Sequence, residues 1–251
     1  MTMPHGTGWP YPPLMAHRGG GALAPENTLA GFRAAVRYGF SAAECDVKLS
    51  ADQVCVLMHD DTLERTSSGH GALALQPMAG LAELDAGSWL GAEFAGEPIP
   101  TLANVAAYCR ANQLLLNIEL KPGPGQEAMT GRLVAQAAAR LWAGSEVPSL
   151  LSSFSRGALL AAATAAPDLP RAWLTEAVPD DWASVLEQLG AVALHVDGHL
   201  LTRPQAAAIK AAGYGLLCYT VNDLASAQRL YQWGVDCLCT DRLDWPLAIR
   251  R

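Results

Sequence analysis

Short apolar runs alternate with segments of helical periodicity along nearly the whole chain. The strand-like runs are LMAH from Leu14, AAECDV from Ala42, VCVLMH from Val54, LLLNIEL from Leu114 and SLLSSF from Ser149. RAWLT from Arg171, AVALHV from Ala191, GLLCYTV from Gly215 and VDCLCT from Val235 follow. Between them, helical spacing predicts helices over residues 28–38, 102–111, 126–141, 156–165, 181–189, 203–212 and 222–233. Start signals support several of these, such as Thr202 ahead of Pro204, where proline suits a first turn. Alternating strand and helix implies parallel strands with right-handed crossovers. About eight such units in 251 residues predict an α/β fold closed as a (β/α)8 TIM barrel rather than an open sheet. The rhythm stops between Asp61 and Pro100, where turns and "LDAGSWLGAEFAGEPIPTL" replace the repeating unit. We expect one domain over residues 1–251, with an insertion of about residues 61–100 after the second unit, packed over one barrel edge.

Polar residues fall at one end of these runs. His17 closes the first, Glu44 and Asp46 the second, His59 its extension, Glu119 and Lys121 the next, and His195 a later one. In a parallel barrel these C-terminal strand ends converge on one mouth, where active sites are built. Strand side chains alternate faces, so Glu44 and Asp46 project together, as do Glu119 and Lys121, while Ile118 and Leu120 pack outward. Any one carboxylate alone would read as a salt-bridge partner. Three crowded into one mouth repel unless a cation lies between them. Hard oxygen donors without a thiolate or a ligand-spaced histidine pair favour Mg²⁺ or Ca²⁺ over zinc.

Composition narrows the partners. A net charge of −7 leaves no basic surface for nucleic acid or anionic membranes, so a small molecule is expected. No apolar run reaches the ~18 residues of a membrane span. The start, MTMPHGTGWPYPPLM, lacks a basic stretch followed by an apolar one, so a cytoplasmic location is expected, with the six cysteines as free core thiols. Self-association stays open. His17 and His59 titrate near neutrality and suit proton transfer in both directions. Arg18, Lys121, a metal and the Gly19–Gly21 loop before a helix describe a pocket for phosphate oxygens. Phe154 and Tyr219 read equally as pocket walls or core aromatics, His195 as a pocket residue, and His199 as a surface histidine. Trp89 covers the mouth or anchors its loop; Trp9 and Tyr11 lie over the barrel floor or dock on a neighbour.

Those residues lie in a set of motifs. "HRGGGALAPENTLAGF", "ECDVKLSADQVCVLMHDDTLERT", "GEPIPTL", "NIELKP", "SSF", "YTVN" and a terminal "TD" run in order from His17 to Asp241. Together they resemble the glycerophosphodiester phosphodiesterases. The paired His-Arg-Gly…Pro-Glu-Asn-Thr and Glu-x-Asp…His-Asp motifs are highly specific; "HRG" alone is weak. The resemblance implies a TIM barrel with a small insertion after the second strand. It implies a divalent ion, Mg²⁺ or Ca²⁺, on Glu44, Asp46 and Glu119, acid–base chemistry at His17 and His59, and phosphate contacts from Arg18 and Lys121. The implied reaction hydrolyses glycerophosphodiesters, such as glycerophosphocholine or glycerophosphoethanolamine, to glycerol 3-phosphate and an alcohol. His17 would act as base and His59 as acid, with the reverse equally open, and the attacker either water or the substrate's own hydroxyl. Tyr219 departs from the tryptophan usual before Thr-Val-Asn. Two rivals follow. A lysophospholipase D-like enzyme on the same barrel would need an apolar groove. A non-catalytic phosphodiester-binding protein would not need a proton donor on each side.

Overall fold

The computed structural model describes residues 9–245; residues 1–8, part of the segment inspected for a leader, and residues 246–251 lie outside the described residues. The chain runs β1 (Leu14–Ala16), α1 (Leu29–Arg37), β2 (Ala42–Leu49), β3 (Cys55–Leu57), α2 (Met78–Leu81) and α3 (Leu102–Ala111). It continues through β4 (Leu115–Leu120), α4 (Glu127–Leu141), β5 (Leu150–Ser153), α5 (Arg156–Ala165), β6 (Arg171–Thr175) and α6 (Trp182–Leu189). Last come β7 (Ala193–Asp197), α7 (Arg203–Ala211), β8 (Gly215–Tyr219), α8 (Leu224–Gln232) and β9 (Cys237–Thr240).

Eight strands pair in parallel in the order β1-β9-β8-β7-β6-β5-β4-β2, and Ala16 against Ala43 closes the ring between β1 and β2. The predicted (β/α)8 TIM barrel is what forms. Local chemistry sets the helix starts. Thr28, Ser155 and Asp223 each accept an N–H from three residues on, which satisfies a donor left over at the start of α1, α5 and α8. At the far end of α6, Gly190 takes the left-handed conformation (φ 57°) that stops a helix.

The run from Val54 is not a barrel strand. β3 pairs antiparallel with β2, Val47 opposite Leu57 and Leu49 opposite Cys55, outside the ring. The Met58 N–H then donates to the Asp46 carbonyl at 3.1 Å, which seats His59 next to the end of β2. Residues 61–100 fold over this hairpin around a small core of their own. Leu63, Leu73, Leu81, Ala86 and Ile99 pack on Val56 and Met58, and Leu57 N–H donates to Pro100 O at 3.0 Å.

Two larger cores share the barrel wall. Outward residues such as Cys45, Val47, Ile118 and Leu120 pack against Phe32, Leu102, Val134 and Leu159 of the helices. Inside, the lower barrel core combines Met15, Leu150 and Leu217 with the small residues Ala42, Ala172 and Ala193. Tyr11 belongs to this cluster and Trp9 packs against it, so they lie over the barrel floor, the first of the two readings. A Cβ on Gly215 would stand 2.5 Å from the Trp9 ring, so glycine there admits the indole. All six cysteines are free, five of them buried. Among the described residues no helix is long and apolar enough to cross a membrane.

Candidate active site

The predicted residues meet at the C-terminal mouth. Glu44, Asp46 and Glu119 each offer a carboxylate oxygen within 4.8 Å of the others. Parallel pairing of β2 with β4 sets Asp46 opposite Glu119, and period-two alternation places Glu44 on the same inner face. Burial and the charge of Asp46 push Glu44 up to about 7 and Glu119 up to about 8. Asp46 stays below the usual carboxylate range: burial opposes this, but Lys121, Arg18, His59 and an Asn27 hydrogen bond outweigh it. A close, all-oxygen trio with two of its three members buried could hold a metal ion, and its donors suit a hard divalent cation.

His17 and His59 flank this cluster, each with Nδ1 on an aspartate: His17 to Asp241 at 2.7 Å and His59 to Asp60 at 2.6 Å. The ring nitrogen left over in each is Nε2. Burial alone would lower His17, but the Asp241 hydrogen bond and the Glu44 charge outweigh it, so its pKa is raised. For His59 burial wins over Asp46 and Asp60, with Arg18 and Lys121 adding to it, and the pKa is lowered.

The cations are held within the same cluster. Arg18 Nη1 donates to Glu26 at 2.8 Å and its Nε lies 3.4 Å from Asp46. Lys121 Nζ stands 3.3 Å from Glu119 and 3.6 Å from Asp46. Arg18 adopts φ 50°, a left-handed conformation uncommon for a side chain of its size, which turns its amide onto Glu44 Oε2 at 2.9 Å. The backbone strain is thus tied to the site.

The glycines correct an expectation. The amides of Gly19, Gly20 and Gly21 donate to Ala16, Arg18 and His17 carbonyls, so they form no phosphate cradle. Glycine is needed there for packing. A Cβ on Gly20 would lie 2.2 Å from Ala24 O, and one on Gly21 2.4 Å from Asp241 O.

Phe154 and Tyr219 meet edge to face at 6.1 Å on one wall of a cavity of about 230 Å³ that also touches His17, Arg18, His59, Glu119 and Lys121. The Tyr219 hydroxyl donates to Thr175 O at 2.8 Å, which fixes its ring. His195 lines the same cavity, His199 is exposed, and Trp89 is anchored through Nε1 to Ala86 O.

Several site residues carried no assigned role in the sequence reading. Asn27 zips onto Asp46, Nδ2 donating to Oδ2 at 2.8 Å while Oδ1 accepts the Asp46 N–H. Asn222 does the same for Asp241: Nδ2 donates to Oδ2, and Oδ1 accepts the Asp241 N–H, both at 2.8 Å. Arg65 clamps Asp60 and Glu26 together at 2.6 to 3.0 Å. All sit inside the quoted motifs, next to residues already singled out, and that adjacency was their signal.

Known proteins resemble this chain in sequence and in fold. The model of the glycerophosphoryl diester phosphodiesterase family matches residues 17–245. A glycerophosphodiester phosphodiesterase of Caldanaerobacter subterraneus is 31% identical over 91% of this chain and 93% of its own length. A phosphodiesterase of Oleispira antarctica, solved with the product sn-glycerol-3-phosphate, superposes with a TM-score of 0.90 and 37% identity, covering 95% of this chain and 96% of that one. A glycerophosphodiester phosphodiesterase of Agrobacterium tumefaciens gives 0.77 at 28% identity, over 92% and 96%.

Proposed function

Because the chain belongs to the glycerophosphoryl diester phosphodiesterase family and is a phosphodiesterase, we propose that it hydrolyses small glycerophosphodiesters with a divalent cation. Glycerophosphocholine and glycerophosphoethanolamine are the substrates we assign, with sn-glycerol 3-phosphate and an alcohol as products. One observation carries the reading: two histidine–aspartate pairs stand beside a close trio of carboxylates at one barrel mouth.

Glu44, Asp46 and Glu119 would hold the cation, Mg²⁺ or Ca²⁺, which supplies neutralisation of phosphate-oxygen charge when bound. Arg18 and Lys121 bring fixed positive charge to the same cavity and orient the diester. With Nδ1 held by Asp241, His17 presents Nε2 as the base toward the attacking hydroxyl, water or the substrate's own. His59, held by Asp60, presents Nε2 as the acid toward the departing alkoxide. The raised proton affinity of His17 suits taking a proton, and the lowered affinity of His59 suits giving one. Six unpaired thiols support a reducing, cytoplasmic setting.

The test is release of glycerol 3-phosphate from glycerophosphocholine, with EDTA and then Mg²⁺ or Ca²⁺ added back. Activity abolished by EDTA and restored by one of the ions is the expected result. Full activity in EDTA would overturn the metal assignment, and tight binding without turnover would leave a phosphodiester-binding protein.

A further inference from the structure

Lys48 is a buried charge to which the proposed reaction gives no part. It follows Glu44 and Asp46 on the inner face of β2, since side chains alternate along a strand and Val47 packs outward. Its side chain is 7% exposed; Nζ donates to Asp61 Oδ1 at 2.5 Å and reaches the Lys121 carbonyl at 3.5 Å. Asp61, by contrast, is 61% exposed. Lys48 is not among the residues lining the cavity shared by the two histidines. It lines a second pocket of about 420 Å³, together with Asp61, His59 and Lys121. Its influence on the reaction must therefore pass through another residue.

Stability does not account for a lysine here. Desolvating an ammonium opposes folding, and an apolar side chain of similar volume is commonly as stable or more so. A partner as exposed as Asp61 offsets little of that cost, because water screens it. What the pair does provide is a fixed position. His59 and Asp60 lie on a short segment anchored to β2 at both ends. At the near end the Met58 N–H donates to Asp46 O at 3.1 Å, and at the far end Lys48 holds Asp61. The bond from His59 Nδ1 to Asp60 joins neighbours on that segment, so it cannot by itself aim the ring relative to the barrel. Asp61 O also accepts the Leu73 N–H, but Leu73 belongs to the insertion. Arg65 holds Asp60 from an exposed position, where solvent weakens the pair. Among the described residues, Lys48 is thus the buried side chain that ties the far end of the segment to a barrel strand.

We propose that Lys48 is a positioning residue: by holding Asp61 it fixes the segment that carries His59 and keeps that ring aimed at the departing alkoxide. This rests on the phosphodiesterase reading above, with His59 as the acid. Displacing a reacting group by about 1 Å can lower the rate about 10²-fold, so a loosened segment should show in kcat.

The experiment measures kcat and KM for glycerophosphocholine and for a p-nitrophenyl ester of glycerol phosphate, whose leaving group needs no proton. Lys48→Met keeps the buried volume and removes the charge, and Asp61 passes to solvent. It should lower kcat on glycerophosphocholine about 10- to 100-fold with KM changed less than about 3-fold. On the nitrophenyl ester the loss should stay below about 3-fold. Asp61→Ala should show the same pattern, and the double variant should be no worse than either single one. Lys48→Arg, which keeps a cation within reach of Asp61, should recover part of the loss. Unchanged kcat in Lys48→Met and Asp61→Ala overturns the proposal. An equal fall on both substrates also overturns it and leaves Lys48 a structural residue. Should Lys48→Met fail to fold, Asp61→Ala, a change at an exposed side chain, decides. A wild type active on glycerophosphocholine with both variants unimpaired overturns the role of Lys48 alone, whereas a wild type inert on both diesters with Mg²⁺ and Ca²⁺ overturns the phosphodiesterase reading itself.

Discussion

His17 and His59 line one cavity with the same partner chemistry, but the chain assembles them in opposite ways. His17 follows β1, and its aspartate follows β9, so the pair spans 224 positions and exists only because the barrel closes there. His59 takes its aspartate from the next residue, on the hairpin outside the ring, and Arg65 steadies that carboxylate from solvent. The His17 side chain is 20% exposed and that of His59 33%. Burial lowers both rings, but at the seam the Asp241 hydrogen bond and the Glu44 charge outweigh it and raise His17, whereas at the hairpin burial prevails and lowers His59. Two groups of one type with separated proton affinities are what a reaction needs when one proton is taken and another given.

The sharpest way to break this comparison is to remove each ring. His17→Ala and His59→Ala should each lower kcat/KM on glycerophosphocholine by about 10²- to 10⁴-fold. With a p-nitrophenyl ester of glycerol phosphate, whose leaving group needs no proton, His59→Ala should lose less than about 10-fold while His17→Ala keeps its full deficit. Equal recovery of both variants would show that the two flanks do not divide the work as assigned.

Asp241→Asn tests what closure of the barrel contributes. Activity should fall about 10- to 100-fold, the size found when outer partners of functional histidines are removed. Its pH–rate limb should move to lower pH, because a neutral amide replaces the carboxylate that raises His17. Stability follows with a definite sign. The raised His17 value means its contribution is full below the ordinary imidazole pKa and is lost as pH rises through the folded value. Asp241 is lowered, burial being outweighed by the bond to His17, so its contribution is present above the ordinary carboxylate pKa and is lost as pH falls through the folded value. Thermal melts of metal-free protein should therefore show the largest gap between wild type and Asp241→Asn in mildly acidic buffer, narrowing above neutrality.

Arg65→Ala probes the exposed flank and should have the smallest effect. Arg65 is 45% exposed, so solvent screens its pairs with Asp60 and Glu26, and a stability loss within about 1 kcal/mol is expected by chemical denaturation. A loss larger than that of Asp241→Asn would reverse the ranking of the two flanks.

Much of the site is legible in the sequence, because strand side chains alternate and parallel strand ends share a mouth. Those two regularities are enough to bring Glu44, Asp46 and Glu119 together. They say nothing about residues on connecting loops. Asn27, Asn222 and Arg65 stand in loops or turns, where no period announces which way a side chain turns. The Gly19–Gly21 loop is opaque for the same reason: spacing alone cannot tell a glycine that admits a ligand from one that admits a neighbouring carbonyl.

The sequence by itself determined the repeating strand–helix order, the insertion, the inward-facing carboxylates and the pair of histidines, since each follows from local periodicity and residue chemistry. Only the tertiary structure decided which aspartate serves which histidine, which carboxylates the cations hold, and that the buried residues Asn117, Ser152 and His195 line the same cavity as those histidines. Those depend on strand register and on closure between the first and last strands, contacts between positions too far apart along the chain for any local pattern to encode.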